Sequence, residues 1–185
     1  MKSNLPIILL MGPSGVGKTT LAQWVVEDFN FIHIDFDLWE GDTPEIKRSR
    51  KDWETYKLTG DVSNLKEYVD GRISAAGVQG AVLSFPSDDM SVAIAAMENA
   101  KQANVHSVIL LAQESFCKAA FVAREQINGR GLPVEHWVAC NAYIYEPGYL
   151  TPEHNQYIVE AVTVDGVRKT KEQLLTAVRK KIENN

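Results

Sequence analysis

The amino-acid sequence predicts an α/β protein built on a parallel sheet. Apolar segments of strand length recur along the 185 residues and alternate with segments of helical length. The first apolar segment, residues 5–11, runs into a glycine-rich stretch, and a helical stretch with one apolar face follows at 20–29. The length suits one well-buried core and is short for two, so we expect a single domain over residues 1–185.

Hydrophobic pattern and turn residues place the other elements. The predicted strands are residues 5–11, 31–37, 81–85, 105–112 and 155–164. The predicted helices are residues 20–29, 62–76, 86–97, 114–127 and 170–182.

Residues 12–19 carry the most specific motif. They read Gly-Pro-Ser-Gly-Val-Gly-Lys-Thr and fit the phosphate-binding pattern G-x-x-x-x-G-K-[ST] at every fixed position. Lys18 would reach the β- and γ-phosphates of a nucleotide as a catalytic cation, and the Thr19 hydroxyl would ligate Mg²⁺. The residues of this segment predicted to bind the nucleotide are Gly12, Pro13, Ser14, Gly15, Val16, Gly17, Lys18, Thr19 and Thr20. The alternative is an ordinary glycine-rich turn.

The second predicted strand ends in two carboxylates, Asp35 and Asp37. Because parallel strands end at one edge of the sheet, both should lie near the phosphate loop. One carboxylate would orient Mg²⁺ or its water, and the other would hold the hydroxyl of a substrate. The alternative is a polar strand end that caps a loop.

An insertion at about residues 38–77 is predicted to bind the phosphoryl acceptor. Pro44 is typical of a first helical turn, and basic residues follow it. An anionic substrate would be held by Arg48, Arg50 or Arg72. A solvated basic helix face explains the same cluster.

No acidic residue closes the third apolar segment, which ends in Ser84-Phe85. P-loop proteins of the motor and switch types usually place a Mg²⁺-holding aspartate there, so this end argues against those types. Ser84, Ser87 and Asp88 remain candidate contacts to substrate or water.

A glycine-rich connection carries an arginine, and we predict a closing lid at about residues 128–150. Arg130 in the lid and Arg124 in the preceding helix would reach ATP phosphates, with Arg130 acting in catalysis. Alternatively, Arg124 caps helix carbonyls and Arg130 is solvated. Trp137 and the tyrosines after it are predicted to pack in the core and at the lid hinge.

Composition excludes several classes of function. The net charge of −5 argues against a broad nucleic-acid surface, and no apolar run approaches the length of a membrane span. Two cysteines and the lack of a secretory signal pattern predict a reduced, cytoplasmic protein. The histidines and cysteines have no metal-site spacing. A monomer or homodimer is expected.

With its phosphate loop, its Asp35-x-Asp37 strand end and its arginine-bearing lid, the chain resembles small P-loop metabolite kinases of the shikimate and gluconate kinase type. The resemblance implies a five-stranded parallel sheet in the order 2-3-1-4-5. It also implies ATP with Mg²⁺ as cofactors and transfer of the γ-phosphoryl group to a small hydroxylated metabolite. By the same resemblance Asp35 serves the metal, Asp37 serves the substrate hydroxyl as the catalytic carboxylate, and Arg130 lies in the lid.

Two other functions compete with this one. A nucleotide-dependent binding or regulatory protein would use the same loop with slow or no turnover, and the carboxylate pair favours a kinase over it. A polynucleotide kinase is disfavoured by the acidic balance of the chain. The sequence contains no N-K-x-D element of the GTPase type.

Overall fold

A parallel sheet organises the structure, a computed structural model that describes residues 5–36, 44–61, 63–85 and 104–183. Its strands are β1 (Ile7–Met11), β2 (Phe31–Asp35), β3 (Gly80–Ser84), β4 (Val105–Leu111) and β5 (Ile158–Glu160). They lie in the order β2-β3-β1-β4-β5, and every neighbouring pair is parallel. The predicted fold class and strand order are confirmed.

Helices cover both faces of this sheet. They are α1 (Lys18–Phe29), α2 (Pro44–Thr59), α3 (Ser63–Ala76), α4 (Glu114–Ile127), α5 (Val134–Asn141) and α6 (Lys171–Glu183). Short 3-10 helices occupy Ala142–Tyr145 and Pro152–Tyr157. The bounds of α4 are those predicted, and α2 begins at the predicted proline, whereas the predicted helix at 86–97 lies outside the described residues. Among the helices that the structure describes, none is long and apolar enough to cross a bilayer.

The alternation of β1 divides the core into two parts. Ile7 and Leu9 face a cluster that includes side chains of α2 and α3, while Ile8 and Leu10 face a cluster that includes α1, α4 and α6. All five residues of β1 are buried, as expected of a central parallel strand covered on both sides. The result is a three-layer domain whose central strand leads directly into the phosphate loop.

The fifth strand is much shorter than predicted. A capping box made by Thr151 and His154 begins a 3-10 helix at Pro152, so the residues before Ile158 are not extended. Beyond the strand, Val162 leaves the parallel sheet and forms an antiparallel bridge with Arg168. The β-branched residues at 158–164 therefore divide between a short parallel strand and a local hairpin, and the predicted strand at 155–164 is wrong in extent.

Candidate functional site

The loop between β1 and α1 packs closely on α4. Gly15 has a φ of 87°, and a Cβ at this position would overlap the carbonyl oxygen of Cys117 and lie 3.0 Å from the amide nitrogen of Phe121. A side chain there would be strained and would push the loop away from the helix. The glycines of the motif thus let the backbone lie directly on α4.

Lys18 lies at the first position of α1 and only 8% of its surface is exposed. Its Nζ donates hydrogen bonds to the carbonyl oxygens of Gly12 at 2.8 Å and Pro13 at 3.4 Å. No side chain caps the N-terminus of α1, where Gly17 is the capping residue. Uncapped N–H groups at a helix start attract anions, and the ammonium group adds a positive charge at the same place. The loop is therefore arranged to bind a phosphate group.

Two residues of α5 hold the peptide groups of Ser14 from outside the loop. Asn141 Oδ1 accepts a hydrogen bond from the Ser14 amide at 2.7 Å, and Trp137 Nε1 donates to the Ser14 carbonyl at 2.8 Å. Asn141 Nδ2 in turn donates to the Trp137 carbonyl at 2.8 Å. Trp137 is completely buried and Asn141 is 1% exposed. We call these three residues the Ser14 bracket.

The Ser14 bracket was only partly anticipated. The sequence predicts Trp137 as a packing residue, and the structure buries it, but no motif indicates that its indole also binds the phosphate loop. Asn141 was missed altogether, since it lies 127 residues from Ser14 in the chain.

Asp35 ends β2 and is tied to the neighbouring strand. Its register partner on β3 is Ser84, whose hydroxyl donates to Asp35 Oδ1 at 3.0 Å. The hydroxyl also lies 2.8 Å from His33 Nε2. Ser84 has one hydroxyl proton and donates it to Asp35. His33 must therefore donate its Nε2–H to the Ser84 hydroxyl oxygen. Burial lowers the pKa of His33, and the Asp35 carboxylate partly opposes that shift.

The predicted metal ligands are Thr19 and Asp35. Thr19 is exposed in the first turn of α1, and Asp35 is half-buried at the end of β2. Since β3 lies between β2 and β1, the two strand ends are separated by about 10 Å, two strand spacings. A hydroxyl and a carboxylate are the oxygen ligands that Mg²⁺ prefers together with phosphate oxygens and waters. The chemistry of the donor set therefore suits a magnesium ion carried in by a nucleotide, and at this separation one of the two residues would bind the ion through a water.

Among residues 5–36, 44–61, 63–85 and 104–183, no group of three or more histidine, cysteine or acidic side chains is arranged to hold a metal ion alone. Asp37, the predicted catalytic carboxylate, lies outside the described residues.

The structure brings the two predicted lid arginines together on one carboxylate. Arg124 Nη2 lies 3.0 Å and Arg130 Nη2 2.9 Å from Glu125 Oε1, and the Glu125 side chain is 1% exposed. Both arginine side chains are about half exposed. Within the described chain, neither forms a hydrogen bond or ion pair with residues 12–19. In this conformation the buried carboxylate is the partner of both cations.

Two of the three candidate acceptor-binding arginines flank a tyrosine. The guanidinium carbons of Arg48 and Arg72 lie 5.9 Å and 6.0 Å from the ring centroid of Tyr68, and Arg72 Nη1 donates to the tyrosine hydroxyl at 3.0 Å. These residues line a cavity of about 520 Å³ between α2 and α3. Arg48 also pairs with Asp52 at 3.5 Å. The side chain of Arg50 lies outside the described residues.

Fold and loop together define the class of this protein. A strand, a G-x-x-x-x-G-K-[ST] loop and a helix at the centre of a parallel sheet make it a P-loop NTPase domain. Residues 8–114, more than half of the chain, match the sequence model of the ATPase family associated with various cellular activities (AAA), and the chain belongs to this family. A comparison of the sequence with curated proteins gives no significant match.

Solved structures with a similar fold include several kinases. A gluconokinase from Sinorhizobium meliloti 1021 has a TM-score of 0.53 at 18% identity, over 97% of this chain and 92% of the other. A sugar kinase from Janibacter sp. HTCC2649 has a TM-score of 0.53 at 19% identity, over 97% and 95%. A putative kinase from Chloroflexus aurantiacus has a TM-score of 0.53 at 14% identity, over 97% and 99%. At the level of the fold, the predicted resemblance to small P-loop metabolite kinases is confirmed.

Proposed function

We propose that this protein is an ATP-dependent phosphotransferase that moves the γ-phosphoryl group to a hydroxyl group of a small metabolite. One observation carries the proposal. The phosphate loop with Lys18 and the Asp35 carboxylate held by Ser84 lie at the same edge of the sheet. A cationic phosphate site beside an oriented carboxylate is the arrangement that phosphoryl transfer requires.

The chain's own residues bind and orient the nucleotide. The uncapped N-terminus of α1 and the Lys18 ammonium receive the phosphates, and the Ser14 bracket keeps the loop in shape. Thr19 and Asp35 would hold Mg²⁺, which when bound neutralises charge on the phosphate oxygens. Arg130 would supply further positive charge from the lid.

The acceptor would bind between β2 and the helices that follow it. We propose that Asp37 holds the reacting hydroxyl group and accepts its proton during transfer. An anionic group of the acceptor, such as a carboxylate or phosphate, would bind in the cavity that Arg48 and Arg72 line. The arginines on either side of Tyr68 support this choice, because a planar guanidinium group can bind two oxygens of a carboxylate or a phosphate with two hydrogen bonds.

A screen of ATP consumption with Mg²⁺ tests this function. Sugars, sugar acids, nucleosides and nucleotides are offered as acceptors, and the phosphorylated product is identified by mass spectrometry. We expect an anionic hydroxyl compound to raise ATP consumption far above the rate without acceptor. If no acceptor raises it, the proposed transfer is wrong.

The contacts of the lid arginines support a second candidate function, a nucleotide-dependent binding or regulatory protein. Arg124 and Arg130 are both paired with Glu125 and not with the phosphate loop. A protein that uses the nucleotide only as a conformational ligand needs no arginine at the transferring phosphate. Tight nucleotide binding without any acceptor-dependent turnover would favour this function.

A further inference from the structure

The loop between β5 and α6 forms a small hairpin that fixes Arg168. Val162 and Arg168 pair across it, and the Thr163 amide donates to the Val167 carbonyl at 2.7 Å. On the far side, the Lys169 amide donates to the Ala161 carbonyl at 2.9 Å. The backbone of Arg168 is therefore held on both sides by main-chain hydrogen bonds.

The side chain of Arg168 reaches the phosphate loop. Gly17 has a φ of 103° and precedes α1, and a Cβ at this position would overlap Arg168 Nη2 and lie 3.5 Å from its guanidinium carbon. A Cβ there would meet only the end of the arginine side chain, so the guanidinium group would have to move aside. The guanidinium group of Arg168, near the other end of the chain, therefore lies directly against the last glycine of the motif, at the start of α1.

Three positive groups meet at this place. The N-terminus of α1 carries a partial positive charge, Lys18 is its first residue, and Arg168 lies beside its capping residue. The first turn of α1 contains no acidic residue. The side chain of Arg168 is exposed, and within the described residues it forms no hydrogen bond and no ion pair. Placing a cation at a helix N-terminus beside a lysine is unfavourable unless an anion lies between them.

We propose that Arg168 binds the polyphosphate of the nucleotide held by residues 12–19, as a phosphate ligand from the C-terminal hairpin. The inference rests on the proposed nucleotide-dependent function and names a residue that the motif does not contain. A guanidinium group can bind two oxygens of one phosphate with two parallel hydrogen bonds, whereas the Lys18 ammonium acts as a compact point charge. Arg168 differs from Arg124 and Arg130, whose guanidinium groups lie on Glu125.

The test measures the binding of ATP, tripolyphosphate and adenosine by calorimetry to the wild-type chain and to Arg168→Gln. We expect Arg168→Gln to weaken binding of ATP and tripolyphosphate by about 10-fold to 100-fold, the usual range for a lost charge-assisted hydrogen bond. Adenosine binding should change by less than about twofold, because adenosine carries no phosphate. Arg168→Lys should restore part of the affinity, since it keeps the charge but not the two-pronged geometry.

Arg179→Gln is the matched control. It removes the same charge from α6, where Arg179 pairs with Asp28 on the outer surface at 2.7 Å. Unchanged melting temperatures establish that the variants are folded. If Arg179→Gln weakens the binding of tripolyphosphate as much as Arg168→Gln does, the effect comes from net charge and the proposal is wrong.

The remaining outcomes separate this inference from the proposed function. Wild-type tripolyphosphate affinity in Arg168→Gln overturns the inference, while ATP binding by the wild-type chain leaves the nucleotide function standing. Equal losses of affinity for ATP and adenosine, with tripolyphosphate binding unaffected, would mean that Arg168 contacts the adenine base. This outcome would also overturn the inference. If the wild-type chain binds neither ATP nor tripolyphosphate, both proposals fail.

Discussion

Asn141 Oδ1 accepts a hydrogen bond of 2.7 Å from the backbone amide of Ser14, and so joins α5 to the phosphate loop. The two residues are 127 positions apart in the chain. The Trp137 indole completes the contact from the same helix. Because α5 lies within the predicted lid at about residues 128–150, a change in the position of this helix must also act on the loop. The shape of the phosphate site therefore depends on a segment far from the motif.

Trp137→Phe tests the Ser14 bracket. It removes the donor to the Ser14 carbonyl and leaves that group without its buried partner, which typically costs about 1–3 kcal/mol of unfolding free energy. We expect weaker ATP binding as well, because the loop loses a fixed point. Urea denaturation and calorimetry measure the two effects, with Trp24→Phe on α1 as the control. Lower stability with unchanged ATP affinity would make the bracket purely structural.

Lys18→Ala should nearly abolish phosphoryl transfer and leave the fold intact. The Lys18 ammonium donates to loop carbonyls, and its charge would act on the developing phosphate charge. Steady-state kinetics and circular dichroism measure the two properties. Lys171→Ala, which removes an exposed ion pair with Glu27, is the control and should keep full activity. A Lys18→Ala variant with normal turnover would refute the assignment of the loop.

Asp35→Asn and Asp37→Asn should fail in different ways. If Asp35 orients Mg²⁺, Asp35→Asn raises the Mg²⁺ concentration needed for half-maximal rate and also slows ATP hydrolysis without acceptor. If Asp37 holds and deprotonates the acceptor, Asp37→Asn spares Mg²⁺-ATP binding and slows transfer by about a hundredfold or more. A Mg²⁺ titration and acceptor kinetics on both variants make the comparison.

Ser84→Ala gives an intermediate case for the same test. It removes the hydroxyl that fixes Asp35 Oδ1 and keeps the carboxylate. We therefore expect a smaller rise in the Mg²⁺ requirement than in Asp35→Asn. Identical profiles for the two aspartate variants would remove the proposed division of roles.

Arg130→Ala should lower turnover more than it weakens ATP binding. The reason is that the lid would bring this charge to the phosphates chiefly in the transition state, whereas the described conformation keeps it on Glu125. Arg124→Ala, which removes the other cation from Glu125, is the matched comparison. Equal losses in affinity and rate would mean that Arg130 contacts ATP already in the ground state. Wild-type kinetics in Arg130→Ala would mean that Arg130 serves only in the ion pair with Glu125.

Stability should fall as the pH drops below about 6.5, in part because of His106. Burial lowers the pKa of His106 below its ordinary 6.5, and its Nε2 lies 2.8 Å from Asn104 Oδ1. The unfolded chain therefore takes up a proton at a higher pH than the folded chain does. The stabilisation is complete above the unfolded pKa and is lost as the pH falls towards the lower folded pKa.

His106→Gln should flatten this decline. Urea denaturation at pH 5, 6, 7 and 8 measures the free energy of unfolding for the variant and the wild-type chain. His136→Gln, at an exposed position, is the control and should keep the wild-type profile. An unchanged slope in His106→Gln would show that other groups cause the acid sensitivity.

Local sequence was sufficient for much of the architecture. The bounds of α4, the proline at the start of α2 and the strand that leads into the phosphate loop were predicted from periodicity and turn residues alone. These features depend on residues that are close together in the chain, so the local pattern of apolar and turn residues is enough to predict them. The same local view failed at β5, where β-branched residues also suit the hairpin that follows the strand.

The sequence by itself determined that this protein has a phosphate loop on a parallel sheet and a carboxylate, Asp35, at the end of the second strand. Only the tertiary structure decided what surrounds that loop. Asn141 and Trp137 bind Ser14, Arg168 lies against Gly17, and both lid arginines lie on Glu125. The first two sets of contacts join residues more than a hundred positions apart, while the third depends on how the turn after α4 folds back. Side-chain direction and packing fix all of them, and no periodicity along the chain records those properties.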